Sequence, residues 1–285
     1  KAVIESALAS GLALVKDREL DPMTATSYGT GELILRAAHE GAAEISVCLG
    51  GSATNDGGLG MARAIGVKFL KDDGAEAVSA CELKDIVSID TSALDRFVSD
   101  AKITVVCDVD NPLTGPSGAT MTFGPQKGAG EEKLALLEEG MLNLEKLLNA
   151  KAGRSVCSEP GSGAAGGMGA MLMALLNAGH ENGAEAILAL SDIDGKLKDA
   201  VFAITGEGRI DSTSLHGKAV GAVLAHAERA KVPTAIIAGC MGEGAEEVLN
   251  KAEFAEFTGS EEDALRYFEA AACRLADKLA ERLRK

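Results

Sequence analysis

Strand-length apolar runs rich in β-branched residues alternate with helix-length runs along the whole chain, and this alternation confines it to the α/β class. Leu33, Ile34, Ala37 and Ala38 share one helical face that Gly41 stops, and residues 45–49 read as a strand ending at Gly50-Gly51. The pattern predicts a short helix over 58–65, a strand over 67–70 closed by Asp72-Asp73-Gly74, and a buried strand over 103–107. A long helix is expected over 131–150, with Leu134, Leu137, Met141, Leu144 and Leu148 at three-or-four spacing. Residues 164–178, small and Met-rich, read as a helix packed in a core.

The last third reads as βαβαβα, the grammar of a doubly wound parallel sheet. Strands are expected at 201–205, 233–238 and 254–257, with helices at 217–230 and 245–251; a capping box of Ser260 and Asp263 opens a last helix running to 284. Three parallel strands make a marginal sheet, because both faces must be covered. The chain starts at Lys1 and enters a strand-like run, Ala2-Val3-Ile4, at once. The expectation is therefore a piece of a longer protein: a complete domain at 1–198 and an incomplete one at 199–285.

Composition narrows the function. With 285 residues, 46% of them hydrophobic, the chain can bury one large core or two modest ones. A formal charge of −15, no Trp, seven Phe and two Tyr argue against nucleic acid and anionic membrane as partners. No apolar run approaches the ~20 residues of a membrane-spanning helix, and no basic segment leads into one as in a signal peptide. Six scattered cysteines make neither a metal knuckle nor a disulfide framework, and four histidines lack ligand spacing. A reducing cytoplasm fits best, and a homo-oligomer stays open.

The 34 glycines gather where loops enter helices, at Gly29/Gly31, Gly50 to Gly60, Gly161 to Gly169 and Gly206/Gly208. Helix openings present unpaired N–H groups, and glycine lets an anion approach them closely, so four such openings point to anionic ligands. The densest runs from Gly50 to Gly58 and offers the hydroxyls of Ser52 and Thr54, the Asn55 amide and the Asp56 carboxylate. It is neither a Walker A loop nor an in-register GxGxxG. It fails as a Gly-x-Ser-x-Gly elbow because Thr54 stands in the last position. Its plain alternative is a tight turn in which Asn55 and Asp56 cap the next helix.

The run Thr205-Gly206-Glu207-Gly208-Arg209-Ile210-Asp211 reads as a loop leaving a strand. Glu207 and Asp211 suit a hard cation such as Mg²⁺, Arg209 suits a phosphate or carboxylate, and Lys218 can reach a phosphate. The alternative is a surface loop laced with an Arg–carboxylate pair. Asp108 and Asp110 face alike if their strand continues, and form an Asx-capped turn if it does not. Close helix packing explains Gly163 to Gly169 as well as ligand approach does. The run Phe123 to Gly128 offers Lys127 as a charge, with an exposed lysine as the plain alternative, and His216 reads as a solvated histidine. No nucleophile with a paired base is visible, so the set suits phosphoryl transfer, which works by positioning and charge stabilisation.

Taken together, Thr26 to Leu33, Gly50 to Gly58, Cys107 to Pro112, Phe123 to Gly128, Gly163 to Gly169 and Thr205 to Asp211 with Lys218 resemble the bacterial glycerate kinase family, in order, over nearly the whole chain. The resemblance implies ATP- and Mg²⁺-dependent phosphorylation of D-glycerate, usually to 2-phosphoglycerate. It also implies a flavodoxin-like domain inserted into a Rossmann-like one, with the active site in the cleft between them. Carried onto this chain, Gly50, Gly51, Ser52, Thr54 and Asn55, with Gly206 and Gly208, would cradle a phosphate or the glycerate carboxylate. Lys218 and Arg209 would neutralise the transferring phosphoryl. Asp108, Asp110, Glu207 or Asp211 would hold Mg²⁺, and Asp56 would be the base orienting the attacking hydroxyl.

Family members open with a Ser-Phe-Lys-Gly element and a Gly-Gly-Glu-Gly loop that are not in this chain, and the stretch between Cys240 and Ser260 is shorter here. One alternative is therefore a catalytically incomplete fragment that binds small anions or nucleotide without turnover. Another is a flavin- or nucleotide-using α/β enzyme.

Overall fold

A computed structural model describes residues 1–17, 19–215, 218–249, 253–256 and 264–283. It divides into two compact units, Lys1–Glu181 and Asn182–Lys285. His216 and the expected capping box of Ser260 and Asp263 lie outside the described residues.

Six strands belong to the first unit: β1 (Ala2–Glu5), β2 (Glu44–Cys48), β3 (Lys68–Lys71), β4 (Ile86–Asp90), β5 (Lys102–Val106) and β6 (Gly179–Glu181). Four of them form a wholly parallel sheet in the order β1-β2-β5-β6, with Val3 opposite Ser46 and Val47 opposite Val105. Strand β2 buries Ile45, Ser46 and Val47 in succession, as a parallel strand covered on both faces must. β3 and β4 form a separate antiparallel pair.

Two helices build the core of this unit. Tyr28–His39 turns Ile34 and Ala38 inward, and Gly31 lies so close to the backbone of Met61 that a Cβ would strike its carbonyl. The glycine there serves helix contact with Leu59–Ala64 rather than an anion. Glu131–Ala152 buries Leu137, Met141, Leu144 and Leu148 completely, at the expected spacing, and Gly153 ends it at φ +68°. Each of those side chains contributes about 2 kcal/mol by leaving water.

The helix Ala164–Leu176 is buried as its composition implies but is not regular. Ala165, Gly166 and Gly167 all take positive φ (52°, 67° and 97°), a left-handed kink near its start. Gly166 and Gly167 are poor helix formers that take positive φ readily, and only Ala165 is held there against its preference.

In the second unit β7 (Ala203–Ile210), β8 (Thr234–Met241) and β9 (Glu253–Glu256) form a parallel sheet in that order. The central strand, β8, is buried from Thr234 to Ala238. One face packs Ile236 and Ala238 against Val220 and Leu224; the other packs Ala235 and Ile237 against Ala271 and Leu275 of the helix Ala264–Leu283.

The division falls at Glu181/Asn182, ahead of residue 198. The helices Gly183–Leu190 and Ile193–Leu197 are tied to Ala219–Ala230 through His226, whose Nδ1 lies 2.6 Å from Asp194 and whose Nε2 lies 3.0 Å from Glu185. Those residues therefore travel with the second unit. No helix among the described residues is long and apolar enough to cross a membrane.

Candidate functional site

Each unit carries one cluster of the residues singled out from sequence. In the first, the loops that follow β2 and β5 converge with the Gly161–Gly169 run. Gly57 N–H donates to the Gly166 carbonyl at 2.9 Å, and Gly163 N–H to the Asn111 carbonyl at 2.9 Å. The left-handed kink exists for this contact, since a Cβ on Gly166 would run into the Thr54 carbonyl and one on Gly167 would meet Gly57 Cα at 2.8 Å.

The loop does not leave its polar side chains open to solvent. Ser52, Thr54, Asn55 and Asp56 are all buried, while Gly50 and Gly51 expose their backbone. Asn55 Nδ2 donates to Thr120 Oγ1 at 3.0 Å, and its Oδ1 is buried with no hydrogen-bond partner. The side chains of Ser52, Thr54 and Asn55, expected to cradle an anion, are turned inward and tie the loop to its own unit.

Asp56 is held inward as well. One carboxylate oxygen accepts from the N–H and hydroxyl of Ser27, both at 2.8 Å, and from Gly60 N–H at 3.1 Å; the other accepts from Gly58 N–H at 3.1 Å. A carboxylate accepting from four donors and only 1% exposed anchors the start of Leu59–Ala64.

The residue that sequence reasoning misjudged is Lys127. It is 3% exposed, and its Nζ donates to the Thr54 carbonyl at 2.7 Å and to Ser52 Oγ at 3.1 Å. Burial pushes its pKa down to about 8, with the nearby Asp56 charge opposing that shift. The available signal was its setting: one 3₁₀ turn, Pro125–Lys127, set between Gly124 and Gly128, where the glycines let the chain turn inward. Gly128, at φ +92°, packs on the backbone of Leu20.

Asp108 and Asp110 are exposed just past the end of β5, which stops at Val106, so the strand does not carry them onto one face. Cys107 beside them lies 3.4 Å from His180 Nε2, a thiol–imidazole pair not foreseen. Burial raises that thiol's pKa, with Asp108 and Asp110 adding to it, which is the wrong direction for a nucleophile.

In the second unit the run from Thr205 is not a loop. β7 extends through Ile210 and pairs with β8 from Ala203 to Ile210 except at Gly208, Glu207 opposite Ala238 and Arg209 opposite Cys240. Glycine is a poor strand former, and the ladder to β8 overrides that preference; a Cβ on Gly206 would strike the Ile237 carbonyl. Period two puts Glu207 and Arg209 on one face, with Asp211 following the strand end.

Four expected residues do meet there. Lys218 Nζ lies 3.9 Å from Glu207 Oε2 and 3.7 Å from Asp211 Oδ1, and Arg209 Nε lies 3.8 Å from Asp211 Oδ2. Lys218 stands at the N-cap of the twelve-residue helix Ala219–Ala230. Glu207 Oε1 is buried without a hydrogen-bond partner. Gly242, not singled out before, lies under the Arg209 guanidinium, since a Cβ there would come within 2.7 Å of Nε. Among the described residues no three His, Cys, Asp or Glu side chains gather as a metal site; Asp108 and Asp110 belong to the first unit, Glu207 and Asp211 to the second.

The glycerate kinase family model matches residues 1–284. The chain is 43% identical over 258 residues to a protein named glycerate kinase from Halalkalibacterium halodurans, covering 90% of this chain and 68% of that one. It is 44% identical over 241 residues to glycerate 2-kinase of Escherichia coli, covering 84% and 63%. The crystal structure of a candidate glycerate kinase 2 from Salmonella typhimurium LT2 superposes with a TM-score of 0.79 at 38% identity, over 97% of this chain and 76% of that one. With a family model matching residues 1–284 and a glycerate kinase 43% identical over 90% of the chain's length, the chain belongs to the glycerate kinase family.

Proposed function

We propose that this protein transfers the terminal phosphoryl group of ATP to D-glycerate, giving 2-phosphoglycerate. The observation that carries the reading is the second-unit cluster: two carboxylates, a lysine and an arginine within 4 Å contacts of one another, with one Glu207 oxygen buried and unpartnered. That donor set fits a magnesium–phosphate group, because hard oxygens suit the cation and the two basic side chains suit phosphate oxygens. The names of the relatives supply the acceptor.

In this reading Glu207 and Asp211 hold Mg²⁺, which when bound draws charge from the phosphate oxygens. Lys218 and Arg209 neutralise the charge that spreads over the transferring group. The glycerate hydroxyl oxygen bonds to the terminal phosphorus, the bond from that phosphorus to the bridging oxygen breaks, ADP leaves, and the hydroxyl proton passes to solvent or to a base other than Asp56. We place the first unit as the inserted domain of the family and the second as part of the domain that receives it. The six free thiols suit a reducing compartment, the cytoplasm.

A coupled assay for ADP release with D-glycerate tests the reading, with ³¹P NMR identifying the product. Lys218→Ala and Arg209→Ala are each expected to lower kcat about 10²–10³-fold, the range for removing one group that stabilises transition-state charge. Glycerate-independent ADP release, or both variants as fast as wild type, refutes it.

A further inference from the structure

We propose that Gly242 is a positioning residue for Arg209: the lack of a side chain at 242 gives the guanidinium its seat beside Asp211 and so its place in the second-unit cluster. The consequence for turnover rests on the kinase reading; the seat itself does not.

The register of the sheet brings the two residues together. Arg209 pairs with Cys240 and Ile210 with Met241, so Asp211 and Gly242 are the first residues past the ends of β7 and β8. Gly242 N–H donates to the Ile210 carbonyl at 2.6 Å, and Ser212 N–H donates to the Glu243 carbonyl at 3.0 Å. Two backbone bonds thus tie the turn after β8 to the end of β7, and the main chain on which Gly242 sits is held in place.

A methyl group at 242 would meet Arg209 Nε at 2.7 Å, Arg209 Nη2 at 2.9 Å and Asp211 Cβ at 3.0 Å. The backbone does not ask for glycine, since Gly242 takes no positive φ, whereas Gly244 two residues on does, at +78°. What calls for glycine is space. Of the three atoms, Asp211 Cβ is fixed to the main chain, while the two nitrogens end a flexible side chain that is 65% exposed. The arginine therefore yields. Its contact with Asp211 does not resist, because 3.8 Å is beyond hydrogen-bond length and an exposed ion pair is weak. A side chain at 242 thus disturbs the fold little and moves the guanidinium, and a misplacement of about 1 Å can slow a reaction ~100-fold.

The test is a double-mutant cycle in the ADP-release assay, with a thermal melt of each variant. Gly242→Ala is expected to lower kcat ~10-fold or more beside Arg209, and by no more than about twofold in the Arg209→Ala background. Its Tm should stay within about 3 °C of wild type. A Gly242→Ala enzyme as fast as wild type, or an equal loss in both backgrounds, overturns the proposal. So does a variant that melts far lower or does not fold, because the backbone then yields in place of the arginine. Arg209→Ala as fast as wild type takes the arginine out of the transfer, and a wild type without glycerate turnover refutes the kinase reading. In either case the ¹⁵N NMR signal of the Arg209 Nε–H group, assigned by its absence in Arg209→Ala, decides the inference: a signal moved by Gly242→Ala upholds the seat, and a signal left in place overturns it.

Discussion

Substituting Gly166 isolates the contact that holds the two glycine-rich runs of the first unit together. Its φ of +67° costs any L side chain about 1–2 kcal/mol. An added Cβ would also run into the Thr54 carbonyl and lie 2.8 Å from Asn55 Cα, and backbone cannot rotate aside as a side chain can. Overpacking of this kind costs roughly 1–3 kcal/mol, so Gly166→Ala is expected to lose about 3–4 kcal/mol.

Two controls separate the terms. Gly115 has φ +90° with nothing within 4 Å of its Cβ position, so Gly115→Ala carries the backbone cost alone, about 1–2 kcal/mol. Gly50 has open space and no positive φ, so Gly50→Ala should fall within about 0.5 kcal/mol of wild type. For a unit of this size each kcal/mol moves Tm by about 2–4 °C, giving shifts near 10 °C, 4 °C and 1 °C. Thermal melts followed by far-ultraviolet circular dichroism read all three, and urea titration converts them to free energies. Equal losses for Gly166→Ala and Gly115→Ala would show that the loop yields to the extra carbon, and the tight approach argued here would be wrong.

Two further predictions concern pH. Lys71 Nζ, 2.8 Å away, holds the Glu82 carboxyl at about 2, so this pair's stabilisation is complete above about pH 4.5 and lost as pH falls through about 2. Glu82→Gln should cost about 1–2 kcal/mol at pH 7 and nothing near pH 2, read by urea titration; a constant difference across that window refutes the linkage. Asp194 first and Glu185 second raise the pKa of His226, so its contribution is full below the unfolded value of about 6.5 and is lost as pH rises through the folded one. The melt of the second unit should fall by ~3 °C between pH 6 and pH 9 in wild type and stay level in His226→Gln; parallel profiles would remove His226 from the account.

The long helix Glu131–Ala152 was legible because five apolar residues repeat at helical spacing and a glycine follows, both local facts. β2 and β5 were legible for a similar reason, as short β-branched runs too brief for a helix. The second-unit cluster brings together four residues the sequence singled out, Glu207, Arg209, Asp211 and Lys218, but Glu207 and Arg209 sit on a strand where a loop was read. Four glycine- or charge-bearing positions in a row, Gly206 to Arg209, argue against a strand until β8 is there to pair with them.

By itself, then, the order of residues determined the α/β class and the family, because periodicity and residue chemistry are properties of neighbours along the chain. Only the tertiary structure decided that Asp56 anchors a helix, that Ser52, Thr54 and Asn55 face inward, and that Lys127 is buried against a loop more than seventy residues away. A lysine's solvation and a carboxylate's free lone pairs depend on which distant donors and acceptors the fold brings within 3 Å of them, and no local pattern carries that information.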